Sequence, residues 1–112
     1  MSDKLKNNGE KCECIHIRPA ADVTEEHDGM EISFEIPGVA SDDVELEIKD
    51  RLLTLKAKSS LHRRGMPVVY KRAFYLSDAV VTSGIKAKVR DGVLTIFLPK
   101  SESAKTHRIA VS

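Results

Sequence analysis

Tryptophan is absent from this 112-residue sequence, and its aromatic residues stop at three Phe and two Tyr, 4% of the chain. Any core therefore has to be aliphatic, built from Val, Ile and Leu, and a platform for stacking nucleic-acid bases is missing. Long apolar runs are absent too, since none approaches the ~20 residues a membrane helix needs. The opening residues Met1-Ser2-Asp3-Lys4-Leu5-Lys6 have no apolar region of the secretory type. Cys12 and Cys14 are the only cysteines. Without a signal they point to reduced thiols in a cytoplasmic protein and not to a disulfide framework.

Site motifs are just as scarce. The six glycines are scattered, with neither a Walker nor a dinucleotide spacing, so neither ATP nor another nucleotide cofactor is expected. His16, His27, His62 and His107 stand in tails or turns without a partner spacing, and no nucleophile elbow is present. No catalytic residue is expected, and no enzyme.

What the chain does have is 41% hydrophobic and 31% charged residues in 12.4 kDa, enough for one small soluble domain with tails. The net charge of +1 conceals a polarised distribution. Residues 20–50 hold eleven acids against Lys49 alone, whereas residues 51–112 hold thirteen bases against Asp78, Asp91 and Glu102. Such a split fits either a basic surface for nucleic acid or acidic strands beside basic ones within one fold.

The dominant period along the chain is two. Met30, Ile32, Phe34 and Ile36 alternate with Glu31, Ser33 and Glu35, the pattern of a half-buried strand that Pro37-Gly38 ends. Val44, Leu46 and Ile48 give a second such strand, and Leu53, Leu55 and Ala57 a third. A two-residue turn at Asp50-Arg51 would set Ile48 on Leu53, Leu46 on Leu55 and Glu45 on Lys56, although neither turn residue is Gly.

Ile85, Ala87 and Val89 lead to Asp91-Gly92, a favoured type I′ pair, which sets Val89 on Leu94, Ala87 on Ile96 and Ile85 on Leu98. The arm from Val93 to Leu98 is apolar on both sides and so belongs at the centre of a sheet. Val68 to Leu76 reads as a further strand and Ala21 to Glu26 as a weaker one. Six or seven short strands without helical periodicity indicate an antiparallel β-sandwich. The acidic strands at 30–36 and 43–49 are then expected beside the basic ones at 53–58 and 85–90.

Three segments remain. Cys12-Glu13-Cys14-Ile15-His16 offers soft ligands, but a structural zinc site wants four, and no metal is expected. Ser59 to Pro67 is a basic loop of about ten residues, a solvated connection or a partner-binding loop. At the C-terminal end, His107-Arg108-Ile109-Ala110-Val111-Ser112 carries two β-branched apolar residues two apart, which on an extended strand point the same way.

These residues, taken in order, resemble the small heat shock proteins, the α-crystallin family. Ala87-Lys88-Val89-Arg90-Asp91-Gly92-Val93-Leu94 is similar to the family's A-x-x-x-N-G-V-L signature, with Asp91 in the Asn position. Its motif residues are Ala87, Asp91, Gly92, Val93 and Leu94. Ile36-Pro37-Gly38-Val39 resembles the turn after the family's early strand, and Ile109-Ala110-Val111 its C-terminal I-x-I/V motif.

The resemblance covers residues 19–112. It implies an all-β, immunoglobulin-like antiparallel sandwich at 19–100 and a C-terminal extension at 101–112, while the N-terminal arm at 1–18 departs from the family in being short and polar. It further implies an ATP-independent stress-response chaperone that holds non-native client proteins and forms a homodimer or small homo-oligomer in the cytoplasm. Ile109 and Val111 would dock into a neighbour's groove lined by Val44, Leu46, Ile48, Ile85 and Val89. No cofactor, metal, membrane or nucleic-acid partner is expected. The alternatives are an adaptor similar to the CS-domain co-chaperones and a nucleic-acid binder using Arg63, Arg64, Lys71 and Arg72.

Overall fold

Side chains that alternate in the sequence become strands with one face turned inward. The computed structural model describes residues 13–102 and 109–111. Among these residues eight strands form two four-stranded sheets. In chain order they are β1 (Ile15–Ile17), β2 (Ala21–Glu26), β3 (Gly29–Glu35), β4 (Val44–Lys49), β5 (Leu52–Arg63), β6 (Met66–Tyr75), β7 (Lys86–Arg90) and β8 (Val93–Pro99). Short 3-10 turns stand at Ser41–Asp43 and Thr82–Gly84. One sheet runs β1-β6-β5-β4 and the other β2-β3-β8-β7.

The core lies between the sheets. Ile32 and Phe34 of β3 and Leu94, Ile96 and Leu98 of β8 meet Leu53, Leu55 and Ala57 of β5 and Val68 and Tyr70 of β6. Phe34, Ile36, Leu53, Leu55, Leu94, Ile96 and Leu98 are fully buried, which is the aliphatic core that the lack of aromatics demands. β8 sits between β3 and β7, the central place its two apolar faces require.

The expected registers are the observed ones. Glu45 pairs with Lys56, Leu46 with Leu55 and Ile48 with Leu53, while Ala87 pairs with Ile96 and Val89 with Leu94. Both hairpins turn on two residues in the left-handed region: Asp50 and Arg51 at φ 52° and 66°, Asp91 and Gly92 at φ 52° and 76°. That is the geometry of a type I′ turn, whose twist matches that of the flanking strands. Ile85 falls just outside the second ladder, where its N–H reaches Thr82 O at 3.4 Å.

Four readings of the sequence need correction. Residues 59–67 are not a loop, because β5 and β6 continue through them and turn at Arg64-Gly65, with a bulge between Lys58 and His62. This arm is anchored at its base. Ser59, 6% exposed, donates its hydroxyl to Pro37 O at 2.8 Å and accepts the Leu61 N–H at 3.0 Å. Ser60 N–H bonds Gly38 O at 2.8 Å. Gly38 has φ 83°, and a Cβ there would collide with Ser59 Oγ and Leu61 Cγ, so glycine is required for the arm to lie down on the turn.

Second, Ile15–Ile17, read as part of a polar arm, forms β1 and pairs with β6 through Ile15–Val68, His16–Val69 and Ile17–Tyr70. Among the described residues it is the one parallel pair, all the others being antiparallel. Third, acidic β4 does lie beside basic β5, but acidic β3 does not touch a basic strand. β8 occupies the place next to β3, so β7 with Lys86, Lys88 and Arg90 is displaced to the edge. Fourth, Cys14, expected as a free thiol, is disulfide-bonded.

Candidate functional site: an apolar edge groove and an unpacked tail

β4 ends the first sheet because only β5 pairs with it, and β7 ends the second because only β8 does. The 3-10 turn at Ser41–Asp43 leads straight into β4 and also lies against β7, so these two edges share one side of the sandwich. Their inward-facing residues form an apolar strip. Val44 and Leu46 of β4, Val89 of β7 and Ile85 just before it all touch the core, yet each stays only half-buried. Ile48, at the far end of β4, is 38% exposed. The five residues named from the sequence are thus brought to one edge of the fold.

The sequence places Ala87 in the strand and in the motif, but not among the groove residues. It faces inward opposite Ile96 and is nevertheless exposed, between Ile85 and Val89 on the same face of β7. Its methyl side chain is the smallest on that face of β7. Its signal lay in the alternation itself, which set a small residue between two large ones. Asp91-Gly92 makes the turn beyond it, and Val93 and Leu94 open β8, Leu94 being 1% exposed.

Ile109 and Val111 are 82% and 92% exposed, the two most exposed of the large hydrophobics. Neither joins the buried core cluster of the described residues. Outside the groove the surface is charged, with Glu45 and Glu47 on the outer side of β4 and Lys86, Lys88 and Arg90 on that of β7. A separate open depression of about 560 Å³ lies over the outer face of the first sheet, lined in part by Arg18, Glu45, Glu47 and Lys56. Its mixed charges suit no apolar guest.

The four cations considered for nucleic acid do not form one surface. Arg63 and Arg64 are at the tip of the β5–β6 arm, and Lys71 is on the outer face of β6. Arg72 turns inward, with its guanidinium 5.7 Å from the centre of the Phe34 ring and Nη1 donating to Pro19 O at 2.7 Å. Among the described residues no three His, Cys, Asp or Glu side chains converge as a metal site. No described helix is long and apolar enough to cross a membrane.

The model of the Hsp20/alpha crystallin family matches residues 22–112. The chain belongs to this family. It is 31% identical over 109 residues to 18 kDa antigen 2 of Mycobacterium avium, spanning 85% of this chain and 77% of the relative. It is 34% identical over 108 residues to the 18 kDa heat shock protein of Streptomyces albus G, spanning 84% and 75%.

Among solved structures, a small heat-shock protein from Xylella fastidiosa superposes with a TM-score of 0.67 at 27% identity, over 86% of this chain and 97% of the other. Heat shock protein 16.0 from Schizosaccharomyces pombe does so with 0.67 at 25%, over 86% and 99%. As an α-crystallin domain, the sandwich falls in a family of chaperones and not of enzymes, and this membership supports a chaperone role for the chain.

Proposed function

We propose that this small heat shock protein is an ATP-independent holdase, a cytoplasmic protein that binds non-native chains and keeps them from aggregating. It assembles as a sandwich dimer or a small oligomer, with the residues before β1 as an arm, 15–100 as the folded unit and 101–112 as an extension. Ile109 and Val111 of one subunit enter the groove formed by Val44, Leu46, Ile48, Ile85 and Val89 of another.

The observation that carries the reading is the pairing of two opposites on one molecule. An apolar tail is exposed at 82% and 92%, and an apolar strip is left half-covered at the sandwich edge. Exposed apolar surface of this kind marks an interaction site. An extended segment with two knobs at alternate positions suits a groove between edge strands. A groove that is covered in the assembly and free after tail release provides apolar surface on demand. A protein that binds unfolded chains lowers their free concentration by mass action, without nucleotide hydrolysis.

The test is light scattering from an aggregating model protein, heated or reduced, without ATP and over a range of molar ratios. Dose-dependent suppression near stoichiometric ratios is expected, and no suppression at any ratio would overturn the reading.

A further inference from the structure

The outer face of the second sheet has its side chains sorted by strand. The edge strand β7 carries Lys86, Lys88 and Arg90, and β3 carries Glu31 and Glu35, with Asp22 beyond them on β2. The row between belongs to β8 and consists of Val93, Thr95 and Phe97. All of these alternate with inward-facing residues and so point away from the core. We propose that this face is an interface between two copies of the chain, stacked sheet on sheet about a two-fold axis that runs along β8. The contact is separate from the tail groove, whose β7 side is built from residues that face the other way.

The first support is charge left without a partner. Lys86, Lys88, Glu31, Glu35 and Asp22 make no ion pair among the described residues. β8 holds the strand of the basic row and that of the acidic row about 10 Å apart, two ladder spacings. The outer face of the first sheet is different, because there Glu45 lies directly across from Lys56 in the same subunit.

The middle row is the second support. Phe97 and Val93 are half-buried, yet neither belongs to the core or to the hydrophobics packed against it, where Phe34 and Phe74 are found. The two sheets cover one another's inner faces, so among the described residues no strand lies over this outer one. An apolar row between two charged ones has the layout of an interface centre inside its polar rim.

The strand register makes the face complementary to itself. Across the sheet, Arg90, Val93 and Glu35 lie on one level, and Lys86, Phe97 and Glu31 on another. Between them Lys88 is level with Thr95, Ser33 and Asp22. A two-fold axis along β8 exchanges the two sides of the face and keeps each level. It lays Arg90 over Glu35 of the second copy, Lys86 over Glu31, and Lys88 over Ser33 and Asp22, each contact occurring twice. Val93 then meets Val93, and Phe97 meets Phe97. An axis in the same plane but at right angles to the strands would lay base on base and acid on acid, so charge selects the first arrangement. Sheets stacked in this way keep their strands nearly aligned, about 10 Å apart.

The test uses the full chain carrying Ile109→Ala and Val111→Ala, so that tail docking does not contribute. Sedimentation velocity reads the mass in about 0.05 M salt, where surface charges are little screened. In this parent, Lys86→Glu with Arg90→Glu makes both outer rows acidic, and Glu31→Lys with Glu35→Lys makes both basic. Each variant alone is expected to fall to about half the parent's mass, as a two-fold pair comes apart. An equimolar mixture of the two is expected to regain the parent's mass, because an acidic face then meets a basic one. Raising the salt to about 0.5 M should weaken the parent and the mixture alike. A misfolded variant is not rescued by mixing, so recovery in the mixture separates the contact from stability. A parent mass that neither variant changes, or a mixture no heavier than its components, would overturn the proposal and leave the face to a different occupant.

Discussion

Arg51 and Leu76 are joined twice. The Leu76 N–H donates to Arg51 O at 2.8 Å, and Arg51 Nε donates back to Leu76 O at 3.3 Å. The same guanidinium also donates to Val80 O at 2.8 Å and to Ser77 O. A turn residue in the left-handed region thereby ties down the whole segment that follows β6. This resolves how Asp50-Arg51 can turn without glycine, since side-chain bonds offset the backbone cost of φ 66°. Arg51→Ala should lower unfolding stability by about 2 kcal/mol in urea titrations. Arg51→Lys should restore less than half of that loss, because a point ammonium cannot serve several carbonyls at once.

At the other tight turn, Asp91 occupies φ 52° where an Asn would sit with less strain. Its only ion pair there, with Arg90 at 3.8 Å, is exposed and contributes little. Asp91→Asn should therefore raise stability by about 0.5 kcal/mol. Gly92→Ala should lower it by about 1–2 kcal/mol, since alanine is strained at φ 76°. Thermal melts of both variants beside the wild type would check the opposite signs.

Core and edge should respond differently to truncation. Ile96 is 0% exposed at the centre of β8, so Ile96→Ala should cost about 3–4 kcal/mol through lost burial and the cavity left behind. Val23 faces the same interior side on β2 but is 56% exposed, and Val23→Ala should cost no more than about 0.5 kcal/mol. Denaturant midpoints measure the contrast directly.

The proposed groove offers a test that leaves the tail untouched. Ala87→Leu should fill its floor and reduce assembly mass while the fold stays intact, because residue 87 is exposed in the single subunit. Ile109→Ala with Val111→Ala should reduce the mass to the same degree. Combining all three changes should add nothing further, the signature of two sites acting as one contact. Light scattering after gel filtration reads the mass, and an additive loss would separate the two features.

The strand registers were legible because two independent patterns agreed in each hairpin. In β4 and β5 one alignment both stacks Leu46 on Leu55 and opposes Glu45 to Lys56, and a slip by one residue would invert both faces. The β5–β6 arm was hidden by its composition. Ser59-Ser60 and Pro67 read as loop formers, and the turn pair Arg64-Gly65 stood among charged residues instead of alternating apolar ones.

β1 was missed for a different reason. Three residues cannot show a period, and its pairing depends on an edge of β6 more than fifty positions away. The sequence named Val44, Leu46, Ile48, Ile85 and Val89, but that β4 and β7 are both sheet edges, with the turn before β4 lying against β7, was not legible in it.

Local hairpins make up most of this architecture, since β2–β3, β4–β5, β5–β6 and β7–β8 each join neighbours through short turns. The pairings of β1 with β6 and of β3 with β8 are the exceptions, and the longer of them, β3 with β8, unites the first and last thirds of the chain in one sheet. Loop closure over such a separation is entropically expensive and is repaid only when Ile32 and Phe34 reach Ile96 and Leu94. Refolding after heat is therefore timed by this one encounter: the hairpins form on their own schedule and wait for β8 to arrive.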